Sequence, residues 1–82
     1  MTEYESIVKE TVYEKLKEKV RGKVSCWVRD DELHIKVTMI DTKYEVVIED
    51  LANRVVRGLN TDLIVYDFCK AYKRYIMGGY FR

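Results

Sequence analysis

Apolar residues recur at every fourth position in the opening stretch of the chain, at Tyr4, Val8, Val12, Leu16 and Val20, with Ile7 and Tyr13 widening the stripe. This spacing predicts an amphipathic helix that ends near Gly22 and is opened by Thr2 and Glu5 in the capping-box arrangement. The opposite face, with Lys9, Glu10, Glu14, Lys15, Lys17, Glu18 and Lys19, reads as a solvated surface of mixed sign. From Lys23 the period falls to two. Val24, Cys26 and Val28 share one face of a first strand, and Leu33, Ile35, Val37 and Met39 share one face of a second. A two-residue turn at Asp30-Asp31 sets Val28 opposite Leu33, Cys26 opposite Ile35 and Val24 opposite Val37, so the apolar residues meet in pairs. A second two-residue turn at Asp41-Thr42 sets Met39 opposite Tyr44 and Val37 opposite Val46, with Ile48 continuing the same face.

Helical spacing returns in Leu51, Ala52, Val55, Val56 and Leu59, behind Glu49 or Asp50 as cap and stopped at Gly58. Asn60 or Thr61 caps a last helix with the stripe Ile64, Val65, Phe68, Tyr72, Tyr75 and Ile76. Asp62 falls in its first turn and Lys70, Lys73 and Arg74 in its later turns, the order the helix dipole favours. Beyond Gly78-Gly79, the aromatic pair Tyr80-Phe81 is expected to dock on the body, because adjacent exposed aromatics are uncommon in small domains. The expected fold is α+β: a helix, a three-stranded antiparallel meander and two C-terminal helices (αβββαα), with the helices on one face of the sheet.

With 82 residues the chain has room for one core, so residues 1–82 are read as a single domain. A content of 48% hydrophobic and 35% charged residues is far from that of disordered segments. Fifteen basic residues against fourteen acidic ones leave a net charge of +1, which argues against a protein whose main task is to neutralise many phosphates. The acidic start Met1-Thr2-Glu3-Tyr4-Glu5 and the lack of any apolar run near the roughly 18 residues of a membrane span predict neither signal peptide nor anchor. A cytoplasmic location follows as the expectation. Cys26 and Cys69 sit in apolar-periodic segments and are expected as free thiols. One histidine, two cysteines and no CxxC or HxxxH spacing predict no metal and no cofactor.

Catalysis needs a nucleophile, a base and usually a group that orients the base. His34, the only histidine, falls on the outer face of a strand, with Lys36, Thr38 and Glu45 as its polar neighbours. The acidic pairs Asp30-Asp31 and Glu49-Asp50 are explained by a turn and a helix start. Gly78-Gly79 follows a helix, so it is no phosphate-cradling loop. The chain is therefore read as a non-enzyme. A site completed across an oligomer would need His34 or Cys26 beside a partner's carboxylate.

The informative surface is the outer face of the meander: Ser25, Trp27, Arg29, His34, Lys36, Thr38, Ile40, Lys43, Glu45 and Val47. Its candidate binding residues are Trp27, Arg29, His34, Lys36 and Lys43. Tryptophan is enriched at protein interfaces, so the first reading is a module that binds a protein partner or a second copy of itself. The alternative is nucleic-acid binding, with RNA bases stacked on Trp27 and phosphates held by Arg29, Lys36 and Lys43.

The order helix, three-stranded meander, helix resembles the topology of double-stranded-RNA-binding domains, which implies RNA binding. That family's final helix opens with a lysine cluster, whereas here the helix opens Thr61-Asp62-Leu63-Ile64 and Lys70-Ala71-Tyr72-Lys73-Arg74 comes past its middle. The stretch Leu51 to Phe81, notably Asn60-Thr61-Asp62, Val65-Tyr66-Asp67 and Lys70 to Ile76 ending in Tyr80-Phe81, is similar to small proteins encoded in prophages of Gram-positive bacteria. That similarity implies a phage context and carries no site residues.

Overall fold

The computed structural model describes residues 3–80, with side chains for residues 3–77. The elements follow one another as α1 (Glu3–Lys19), β1 (Lys23–Arg29), β2 (Glu32–Thr38), β3 (Lys43–Ile48), α2 (Leu51–Val56) and α3 (Thr61–Tyr80). The three strands form one antiparallel sheet in the order β1-β2-β3. The fold is the αβββαα arrangement that the change of period predicts.

Strand β2 is central and contributes Leu33, Ile35 and Val37, all fully buried. In register they make a three-by-three apolar grid: Val28, Leu33 and Ile48 in one row, Cys26, Ile35 and Val46 in the next, Val24, Val37 and Tyr44 in the third. Helix α1 lies over the β1 side of this grid and buries Val8, Val12 and Leu16. Helix α3 packs on α1, buries Val65, Phe68 and Tyr72, and reaches β3 with the last two. Over β3 the covering is aromatic, the Tyr44 ring centroid lying 5.4 Å from Phe68, 5.7 Å from Tyr72 and 4.9 Å from Tyr75. Ile7 does not widen the stripe of α1. It is turned about 100° from Val8 on the helix and is 58% exposed.

The first turn is the expected two-residue one. Asp30 and Asp31 have φ of 52° and 61°, the left-handed pair that a type I′ hairpin requires and that aspartate tolerates better than most residues. The second hairpin differs from expectation. Thr38 pairs with Lys43 and Val37 with Tyr44, so residues 39–42 form a four-residue loop closed by the Met39 amide donating to the Thr42 carbonyl at 2.8 Å. Asp41-Thr42 is not a two-residue turn, and Met39 does not oppose Tyr44. Both central residues of a type I′ turn would need positive φ, and no residue of this loop adopts it. The register moves by two residues, so the assignment of faces survives.

Two caps also differ. Asp50 precedes α2 with φ 58° but makes no side-chain cap; its carboxylate instead accepts from Asn53 Nδ2 at 3.0 and 3.1 Å. The cap comes from the hairpin turn, where the Asp31 carboxylate accepts from the Ala52 amide at 2.9 Å and its carbonyl from the Leu51 amide at 3.0 Å. Leu51 is the only buried residue of α2, and Val56, expected in the stripe, is 84% exposed. Asn60 caps α3 as expected, its side-chain oxygen accepting from the Asp62 and Leu63 amides at 2.9 and 3.3 Å. Gly22 is required: its φ is 111°, and a Cβ there would come within 3.0 Å of the Thr38 carbonyl. The expected capping residue Thr2 and the expected docking of Tyr80-Phe81 lie outside the described residues and side chains.

Candidate functional site

The face of the sheet turned away from the helices carries four cross-strand rows. Arg29 stands against Glu32, then Trp27 against His34 and Val47, then Ser25 against Lys36 and Glu45, and finally Lys23 against Thr38 and Lys43. Strand alternation alone sets this composition, because the inner set must bury itself in the grid. Lys23 and Glu32 were missed from the sequence. Each is the first residue of its strand, and extending the alternation by one position would have found both.

At the centre, Trp27 and His34 stack with ring centroids 5.1 Å apart and an interplanar angle of 8°. The pairing of Trp27 across from His34 is as predicted. Both are half-buried, and the His34 side chain is only 16% exposed. Its Nδ1 lies 3.3 Å from Glu45 Oε2. Its Nε2 lies 3.3 Å from Glu32 Oε1, out of line for a hydrogen bond and shielded from solvent. The imidazole is thus held between two carboxylates and one indole, and Glu45 is not the lone carboxylate of this face.

Arg29, Lys36 and Lys43 do not form a single column. Arg29 sits at one corner with its Nε 3.6 Å from Asp30 Oδ2, Lys36 is in the third row of the central strand, and Lys43 is exposed at the opposite corner on β3. They lie on a diagonal across three strands, interrupted by Glu32 and Glu45. The structure brings Trp27 and His34 together; it does not gather Arg29, Lys36 and Lys43.

The two thiols stand away from this face. Cys26 belongs to the inner grid beside Ile35, and burial pushes its pKa up to about 11 although Lys9 opposes the shift. Burial likewise raises Cys69, on α3. Both are free. Neither is positioned with His34, which lies on the other side of the sheet. No helix among the described residues is long and apolar enough to cross a membrane. No protein-family model matches the chain, and neither a curated protein nor a solved structure is significantly similar to it.

Proposed function

We propose that this chain is a non-catalytic binding module whose outer sheet face meets a protein surface, a second copy of the chain being the first occupant to test. The observation that supports this reading most directly is the Trp27–His34 stack on the sheet face opposite the buried grid. A large amphipathic ring already immobilised by its neighbours loses little rotamer entropy when a partner closes over it. The mixed signs of Arg29, Glu32, Lys36, Glu45 and Lys43 suit a protein rim, where opposite charges fix register.

Two features count against nucleic acid on this face. His34 covers one face of the Trp27 ring, which halves the stacking platform, and Glu32 and Glu45 would stand against a phosphate backbone. A catalytic reading finds equally little support. Both His34 nitrogens face carboxylates of the chain itself, and the thiols are protonated at neutral pH.

Size bounds the strength of the contact. Strands of seven, seven and six residues span roughly 23 by 14 Å, or roughly 300 Å² in projection. Even doubled for side-chain relief this falls short of the about 800 Å² a side of a stable complex, so the association is a reversible one. The test is to follow Trp27 emission and molar mass by light scattering over a concentration series. A blue shift that tracks mass and lacks the steep salt dependence of phosphate binding is the expected result, and the rise in mass disappears in Trp27→Ala. Emission that ignores concentration but is quenched saturably by mixed RNA, with recovery as salt rises, would overturn the proposal.

A further inference from the structure

A groove of about 740 Å³ opens on the helical side of the molecule, where the last turn of α1 meets α3, well apart from the outer sheet face. Its floor is Val65, which is 2% exposed, together with the Cys69 thiol. Tyr66, 62% exposed, stands at one wall. Lys19 approaches from α1, and Lys70 and Lys73 from α3, all three exposed. The lining also contains one carboxylate, Asp62, which is engaged by Lys15 from outside the groove; the same ammonium lies 3.3 Å from Thr61 Oγ1. The three rim lysines therefore keep their charge uncompensated by Asp62.

We propose that this groove binds a short single-stranded nucleic-acid segment, with a base against Tyr66 and phosphates along Lys70, Lys73 and Lys19. Tyr66, Cys69, Lys70 and Lys73 recur at helical spacing on one face of α3, and the run from Tyr66 to Lys73 covers about 10 Å of helix axis. An uncharged floor with cations only at the rim fits a ligand that has a flat, weakly polar body and a negatively charged edge. Exposed aromatic rings take unstacked bases, which a duplex does not offer without opening. The cations are lysines, point charges that can hold phosphate oxygens without a fixed bidentate geometry, and the exposed Tyr66 ring beside them favours a ligand with a planar base over an acidic peptide. Three lysines on a chain of net charge +1 limit the contact to a few phosphates.

The test uses the intact chain and a fluorescein-labelled oligothymidylate of about a dozen nucleotides, a length within the range single-strand sites occupy, read by anisotropy. Saturable binding at low salt is expected. With three phosphates neutralised the log-log salt slope is near −2, so affinity falls roughly 20-fold between about 50 and 200 mM salt. Trp27 emission stays unchanged, because the groove and Trp27 lie on opposite sides of the sheet. Tyr66→Ala weakens binding roughly tenfold, and Lys73→Gln lowers the slope by about 0.7. Both positions are exposed, and an unaltered circular dichroism melt verifies that each variant folds. Absence of binding at low salt, equal binding of polyglutamate, or preference for the duplex overturns the proposal. Quenching of Trp27 that survives Tyr66→Ala also overturns it, by moving the strand to the sheet.

Discussion

The two hairpins share strand β2 and obey the same alternation, yet the first closes in two residues and the second in four. In the first, Asp30 and Asp31 take left-handed backbone conformations, and Asp31 uses both its carbonyl and its carboxylate to hold α2. In the second, Met39 to Thr42 form a looser loop whose Ile40 side chain is fully exposed. The first turn is therefore tied to α2 through both backbone and carboxylate, while the second is anchored at Met39, whose Sδ accepts from the Tyr72 hydroxyl at 2.8 Å, and its exposed tip at Ile40 has freedom in its sequence. Alternation assigns residues to faces; turn geometry and packing decide which residues stand opposite one another.

The deepest cut into both hairpins is Ile35→Ala, since Ile35 is fully buried and pairs with Cys26 on one side and Val46 on the other. It should cost roughly 3 kcal/mol or more, measured from the urea midpoint at constant m-value. The difference between the turns is tested directly by alanine at each. Asp31→Ala removes a helix cap and forces alanine into a left-handed conformation, for a loss of roughly 2 kcal/mol. Asp31→Asn keeps an acceptor and a residue that tolerates this backbone, so most of the stability should remain. Asp41→Ala in the second loop should stay within about 0.5 kcal/mol. Equal losses at Asp31 and Asp41 would remove the contrast.

Cys26 sharpens the same comparison through pH. Its thiol has a higher pKa folded than unfolded, about 11 against 9.0, with burial the main cause. The folded chain thus holds this proton more tightly, so the contribution is fully present below pH 9 and is lost as pH rises towards 11. Cys26→Val should lessen the alkaline drop in melting temperature, and iodoacetamide should label Cys26 slowly at neutral pH. The smallest effect belongs to Ile40→Ser, within about 0.5 kcal/mol of the parent in the same urea experiment.

Much of this was legible in the sequence because it depends on period. The stripe Val8, Val12 and Leu16, the inner triplet Leu33, Ile35 and Val37, and the outer pair Trp27 and His34 all follow from spacing. The second register was not legible, since a shift of two leaves every residue on its own face and alternation cannot detect it. In that register Tyr44 sits among Phe68, Tyr72 and Tyr75, a packing between elements distant in sequence that alternation does not encode. For the same reason Asp31 could not be recognised as the cap of a helix 21 positions away. At the candidate site the positions of Trp27 and His34 were readable, while the clamp by Glu32 and Glu45 required knowing where each strand begins and which residues stand alongside.

The attachment of α2 to Asp31 also has a kinetic meaning. A six-residue helix with one buried side chain has little protection of its own, and its first two amides are held closed by the same turn that joins β1 to β2. Opening of that hairpin tip releases the Leu51 and Ala52 amides together with those of the turn. Hydrogen exchange should therefore report the tip and the start of α2 as one cooperative unit, although Leu51 lies 20 positions beyond Asp31 in the chain.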